Sequence, residues 1–489
     1  MSDLLAVFDI GTTGARTIIF DINGKELSRA YEEYPVVKQP TGISEQDPNI
    51  WWNAVKNTCN KAVKSVNKED IIGLSASCFR ATATFIDKKG EILHPALTWQ
   101  DEREQIDKAE SQAAFKEEGG LRVTVPKLLW LKNNKPDLFA KAYKIINPDS
   151  FIYMKLCGQC ISDPSNAMFG ILNMKTLDWD ENLAELYGLP IDLWPELRTP
   201  GDVVGDLTSE AAEALGLKSN IPVILGGADQ QCAALGLGAI EKGQIKTTFG
   251  TGTFVDLVVD EPIKPAGDFP IFSLPHVIKG KWIIEGVIPG TGTALKWFKD
   301  NFSQLQVKEC EEKNVNVYEM LSTEAKEIPP GSEGLLFIPL YIFRKGTIHG
   351  LGWNHTRAHM IRALMESAAL SAQLYIPILE GMARVKTTEI RADGGAMNSD
   401  FWAQIVADVT NKNTLIPETK DGAAMGAAIL GFYGCKKYNT IEDAIEKMVR
   451  FVATKEPDKK DSKVYKRLSR TFMSTVVDTL QKKRITGNL

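Results

Sequence analysis

Short apolar runs open the chain. Residues 4–8, 15–22 and 26–37 alternate with turn residues and read as a three-strand meander, with Asn23-Gly24 as a hairpin turn. A second strand–turn–strand pattern follows at 81–97, and "NIWWNAVKNTCNKAVKSV" at 49–66 spaces its apolar positions for a helix. Residues 222–240, "PVILGGADQQCAALGLGAI", read as a buried strand, a Gly-Gly turn and a small-residue helix opened by Asp229. The opening theme then returns: "GQIKTTFGTGTFVDLVVDEP", 243–262, is again strand, Gly-Thr turn, strand. Long helical patterns follow at 356–382 and after "ADGGAMNS" (392–399). "GAAMGAAIL", 422–430, predicts a helix packed closely through small residues, and 455–465 a charged loop before a last helix. Strands alternating with helices predict an α/β fold, here as two related halves, 1–244 and 245–489.

Composition narrows the function classes. A chain of 489 residues, 44% hydrophobic and 24% charged, is expected to be an ordinary globular protein of more than one domain. Its net charge of −5 is spread without a basic stripe, which argues against nucleic acid as a partner. No apolar run approaches the ~18–20 residues of a membrane span. With the acid in "MSDLLAVFD" and dispersed cysteines, this points to a cytoplasmic protein with reduced thiols. Cys157 and Cys160 have metal-ligand spacing, but no second pair or histidine lies near them, so coincidence is the expectation.

The chemistry concentrates in the turns. "IGTTGAR" (10–16) and "FGTGTF" (249–254) each offer converging N–H groups and threonine hydroxyls, one turn from each half. Asp9 stands at the mouth of the first. No GxxxxGK[ST] and no GxGxxG motif occurs. Asp229 can be read as a helix N-cap or as a functional acid. Gly226-Gly227 before it and Gln230-Gln231 after it favour the second, with glycines clearing space for a ligand and amides fixing its hydroxyls.

These segments resemble the FGGY family of carbohydrate kinases over nearly the whole chain. "FDIGTTGARTIIFD" is similar to the family's first phosphate loop, and "GGADQQCAALGLGAIEKGQIKTTFGTGTF" to its catalytic acid segment joined to the second loop. "EGVIPGTGTALKWFKD" (285–300), "DGGAMNSDFWAQIVADV", "TVPKLLWLKNN" (124–134) and "GTIHGLGWNHTRAHMIRALMES" (346–367) agree in order and spacing. The resemblance implies two actin-like (ribonuclease-H-like) domains, an ATP-dependent sugar kinase and a cleft where ATP, Mg²⁺ and sugar meet. Asp229 would be the general base. Gly11, Thr12, Thr13, Arg16, Gly250, Thr251, Gly292, Lys296, Gly394, Gly395 and Asn398 would hold the nucleotide. Asp9 and Asp229 would hold Mg²⁺, and a homodimer is expected. A chaperone motor or a silent regulator of the same fold is the non-enzyme alternative, and the retained Asp229 speaks against the regulator.

The sugar is read from the first half. Arg80, Trp99, Gln100, Asp101 and Gln230, with Asp229, are the candidate substrate residues. Trp99 serves equally as a sugar cover or as core, and Arg80 would pair with Asp101 or with the substrate. Glycerol kinases place Arg-Glu where this chain has Arg80-Ala81, and xylulose kinases typically show Met-His-Gly where it has Phe79-Arg80-Ala81. The loop 338–353 is shorter than in relatives, and the C-terminal pattern resembles the xylulose-kinase branch. The expected order is therefore a ketopentose such as D-xylulose first, gluconate second because Arg80 can meet a carboxylate, and glycerol last.

Overall fold

The computed structural model describes residues 3–39, 42–103, 123–264, 271–339 and 346–486. Part of the shortened loop, residues 340–345, lies outside these. Two mixed sheets repeat one plan. The first contains β1 (Leu4–Ile10), β2 (Gly14–Asp21), β3 (Glu26–Glu33), β4 (Ile71–Cys78), β5 (Val203–Asp206) and β6 (Pro222–Ala228). Their spatial order is β5-β6-β4-β1-β2-β3.

The second contains β7 (Ile245–Phe249), β8 (Thr253–Val259), β9 (Ile271–Pro275), β10 (Trp282–Ile288), β11 (Glu389–Asp393), β12 (Asn413–Pro417) and β13 (Phe451–Lys455). Here the order is β9-β10-β8-β7-β11-β12-β13. In each sheet a central strand, β1 or β7, has an antiparallel partner on one side and a parallel one on the other. This is the duplicated actin-like plan that the family resemblance implies.

Five helices matter for the site: α1 (Pro48–Ala62), α2 (Asp229–Gly236), α3 (Thr291–Phe302), α4 (Arg357–Ala383) and α5 (Gly422–Gly434). Asp47 caps α1 and Pro48 begins it, so the helix starts where its chemistry demands. Trp51, Ala54, Val55, Thr58, Cys59 and Ala62 then form its buried stripe.

β1 is buried at every position because both of its faces are covered. Leu4, Ala6, Phe8 and Ile10 join the core that holds Trp51 and Val55, while Leu5 and Val7 point the other way, into a core with α5. By that alternation Asp9 shares the α5 face.

Helix α5 therefore belongs to the second half by sequence and to the first sheet by packing. It also lies against α2 at backbone distance. A Cβ on Gly426 would fall 1.9 Å from the Cys232 carbonyl oxygen, and one on Gly236 would fall 2.0 Å from that of Gly422. The small-residue pattern predicted this close packing.

Three local expectations need correction. The third meander strand stops at Glu33, and Val37–Lys38 pairs instead with Ser44–Gln46. The 81–97 hairpin closes only through bridges such as Ala83 to Leu97. Thr84–Ile86 pairs with Lys144–Ile146, and Ala96–Leu97 with Ser44–Gln46. The charged loop 455–465 is mostly ordered: β13 runs to Lys455, and Asp458 accepts the N–H groups of Lys460 and Asp461 to start a helix at Lys459.

Cys157 ends one helix, and Cys160 follows the left-handed Gly158 turn (φ 75°) before a strand. Burial holds both thiols above their usual range, Cys160 at about 11, so both carry their protons at neutral pH.

Candidate active site

The first Gly-Thr turn joins β1 to β2, closed by Gly11 N–H donating to the Gly14 carbonyl at 2.9 Å. The second joins β7 to β8, closed by Gly250 N–H to the Gly252 carbonyl at 3.0 Å. The second leaves room on one side, whereas in the first a Cβ on Gly14 would fall 2.4 Å from the Tyr31 hydroxyl. A Cβ on Gly250 would meet nothing nearer than 3.8 Å, and at Gly395 nothing lies within 4 Å. The other glycines of the set serve the loop rather than a ligand. A Cβ on Gly292 would fall 2.0 Å from the Gly250 carbonyl oxygen, and Gly394, at φ 96°, sits against Phe249 backbone. Gly292→Ala is therefore expected to deform the second turn. Calorimetry should show weakened nucleotide binding with sugar binding retained; equal ATP affinity in the variant would separate this turn from the nucleotide.

Asp9 and Arg16 stand opposite each other in the β1–β2 register, with Nε 3.4 Å from Oδ2. Arg16 also closes on Asp421, which caps α5. Since Asp9 lies on the α5 face, these three charges converge beside the first turn. Burial, then Asp421, raise the Asp9 carboxyl to about 7 against the pull of Arg16, with Asp229 adding to the rise. Sequence reasoning missed Asp421, although an Asp before "GAAMGAA" is a helix-start signal.

Asp229 is the first residue of α2, and Ala228 occupies the cap position without a side-chain bond. The capping role is thus not the one it plays. Its Oδ1 accepts from Gln230 N–H at 2.7 Å and lies 3.3 Å from Arg80 Nε. Oδ2 has no protein partner among the described residues, and the side chain is 29% exposed. One oxygen is held and the other is open. Gly226 and Gly227 do not clear space for a ligand: a Cβ on either would strike the Ala76 carbonyl at 1.9 Å or Val277 at 2.3 Å. They admit neighbouring protein instead.

Around this acid the proposed sugar residues divide. Trp99 is 41% exposed, and its indole N–H donates to Thr12 Oγ1 at 3.0 Å, so it links the sugar side to the first turn rather than filling a core. Gln100 has a buried carbonyl oxygen with no donor among the described residues, and the Gln230 carbonyl oxygen is held by Lys246 Nζ at 2.5 Å.

Asp101 is not available to a substrate. It is buried, accepts from Ser44 N–H at 2.8 Å and pairs with Arg103 at 2.9 Å. The expected Arg80–Asp101 pair is replaced by Arg80 with Asp229 and Glu285. Lys296 lies on the exposed face of α3, bound to Asp300 at 2.6 Å one turn along, and Asn398 is also exposed. The ion pair with Asp300 occupies the Lys296 ammonium.

The second half supplies a charged row that sequence reasoning did not anticipate. Lys246 on β7 stands opposite Asp256 on β8, which stands opposite Glu285 on β10. Lys246 Nζ is 2.9 Å from Asp256, with both side chains fully buried. Burial pulls Lys246 down, but Asp256 and Asp393 outweigh it and its ammonium is held above its usual range. Two contacts of this row, Lys246 to Gln230 and Glu285 to Arg80, join the halves across the cleft.

The sequence model for the FGGY family of carbohydrate kinases, N-terminal domain, matches residues 4–236, and that for the C-terminal domain matches 245–435. The chain is 27% identical to a gluconokinase of Bacillus subtilis (strain 168) over 494 residues, covering 97% of this chain and 96% of the relative. It is 30% identical to a glycerol kinase of Thermococcus kodakarensis over 494 residues, covering 95% and 96%. Among solved structures, a xylulose kinase from Rhodospirillum rubrum superimposes with a TM-score of 0.83 at 26% identity, covering 98% of this chain and 99% of that one.

Proposed function

The chain belongs to the FGGY family of carbohydrate kinases, and on that premise we propose that it transfers the γ-phosphoryl group of ATP to a ketopentose such as D-xylulose. The observation that carries the mechanism is Asp229, with one carboxylate oxygen held and the other open beside the cleft. In phosphoryl transfer the protein mainly positions the partners and stabilises charge. A substrate hydroxyl gives its proton to Asp229 Oδ2 as its oxygen bonds to the γ-phosphorus. The bond to the β-phosphate oxygen breaks, and ADP leaves.

The N–H groups of Thr12, Thr13 and Thr251 would hold the phosphates, while those of Gly11 and Gly250 close the turns that present them. Residues 1–244 form the sugar side and 245–489 the nucleotide side in this reading. Arg16 acts through its pairing with Asp9 and Asp421, orienting the carboxylate next to the first turn.

The residues present suit a hard divalent cation. Asp9 is a buried carboxylate opposed by Asp421 and Asp229, and the donors are all oxygens. Among the described residues no group of three acids, histidines or cysteines forms a ready-made cage. The protein would therefore hold Mg²⁺ through Asp9 and Asp229, with nucleotide and water completing the shell. When bound, Mg²⁺ neutralises phosphate charge.

The reading is tested by ADP release with ketopentoses, hexonates, tetritols and glycerol. Ketopentoses should give the highest kcat/KM. Ala81 stands where glycerol kinases carry a carboxylate, so glycerol should trail; glycerol in the lead would reject the ketopentose assignment. A sugar acid is the second acceptor considered, because Arg80 is a cation in the sugar site.

A further inference from the structure

Arg80 is the one residue on which the choice between a neutral sugar and a sugar acid turns, and its charge is already matched. Nη2 lies 3.0 and 3.3 Å from the two Glu285 oxygens, and Nε lies 3.3 Å from Asp229 Oδ1. Nη1 donates to Gln231 Oε1 at 3.4 Å, and the guanidinium covers the Phe169 ring at 5.4 Å. Its side chain is only 9% exposed. Glu285 is 3% exposed and fixed by strand register beside Asp256, itself paired with Lys246. Lys246, bound to Asp256, also acts on Glu285, but the cation Glu285 pairs with directly is Arg80.

Resting on the kinase reading above, we propose that Glu285 sets the substrate class: it cancels the charge of Arg80, so the sugar site takes uncharged polyhydroxy compounds and rejects sugar acids. A substrate carboxylate beside Arg80 would be the third anion around one guanidinium that is itself largely buried. Juxtaposed like charges in a desolvated site discriminate strongly against the wrong ligand. A hydroxyl meets no such penalty. It accepts from a guanidinium N–H and donates to Glu285 or Asp229 at the same time.

The test is Glu285→Gln, which keeps the size and one acceptor for Arg80 while removing the charge. Binding of D-xylulose against D-xylonate, and of D-glucitol against D-gluconate, is measured by calorimetry, alongside kcat/KM and the KM for ATP. The wild type should favour the neutral member of each pair. In Glu285→Gln the neutral-to-acid ratio should fall by at least about tenfold, with the change in sugar Kd and the ATP KM unmoved. General damage would lower both members of a pair alike and leave the ratio where it was, which overturns the proposal. Glu285→Asp, retaining the charge, should keep the wild-type ratio. Tighter wild-type binding of the acids also overturns it, whether or not the variants fold. A wild type that binds neutral sugars selectively but phosphorylates none would instead contradict the kinase reading.

Discussion

Asp229→Asn is expected to lower kcat by roughly 10²–10⁴-fold, the usual contribution of a general base. The amide keeps the shape of the carboxylate and can still accept from Gln230 N–H, so α2 should begin where it does now. Arg80 retains Glu285 and Gln231 and should hold its place. What is lost is an oxygen able to take the proton of the attacking hydroxyl. The proposed nucleotide contacts lie in the two Gly-Thr turns, so ATP affinity should stay close to that of the wild type. A loss in kcat with ATP binding intact marks an interaction made in the transition state. Near wild-type turnover would place the base elsewhere.

Gly426→Ala should be the most damaging of the single-methyl substitutions outside the cleft. The new Cβ would lie 1.9 Å from the Cys232 carbonyl oxygen and 2.6 Å from its carbon, both backbone atoms that no rotamer change can move. Overpacking of a tight interface costs about 1–3 kcal/mol and occasionally more. The helix propensity of alanine returns only about 1 kcal/mol of that. Because Cys232 shares α2 with Asp229, parting α2 from α5 should also displace the base. Thermal unfolding should show a lower midpoint, and turnover should fall with it. Gly381→Ala is the control: it sits in α4 with nothing within 4 Å of a Cβ, so the same exchange there should be neutral or slightly stabilising. Equal behaviour of the two variants would mean that α2 and α5 tolerate separation.

Much of the fold was legible in the chain because its signals are local. The short apolar run of β1, the Asp47-Pro48 start of α1 and the repeated strand–turn–strand each announce themselves within a few residues. The turns and Asp229 were legible for the same reason. Charges that meet only through strand register were not. Lys246, Asp256 and Glu285 each appear as a lone charge in an apolar strand, and nothing short of the register shows that they stand side by side. Of the two partners expected for Arg80, Asp101 or the substrate, the first fails because Asp101 is spent on Ser44 and Arg103, and the carboxylates that Arg80 does meet are Asp229 and Glu285. The glycines were misread in the opposite sense. A glycine that admits a ligand and one that admits a neighbouring backbone look alike in sequence, and Gly226 is the second kind.

The most direct measurement follows the phosphorus itself. The protein is mixed with ATP, Mg²⁺ and D-xylulose, the products are read by ³¹P NMR, and Asp229→Asn is run in parallel. The expected result is ADP and a sugar phosphate ester in equal amounts from the wild type, with formation of both slowed together in the variant. ADP with inorganic phosphate and no ester, from D-xylulose and every other sugar offered, would contradict phosphoryl transfer to a sugar hydroxyl at this cleft.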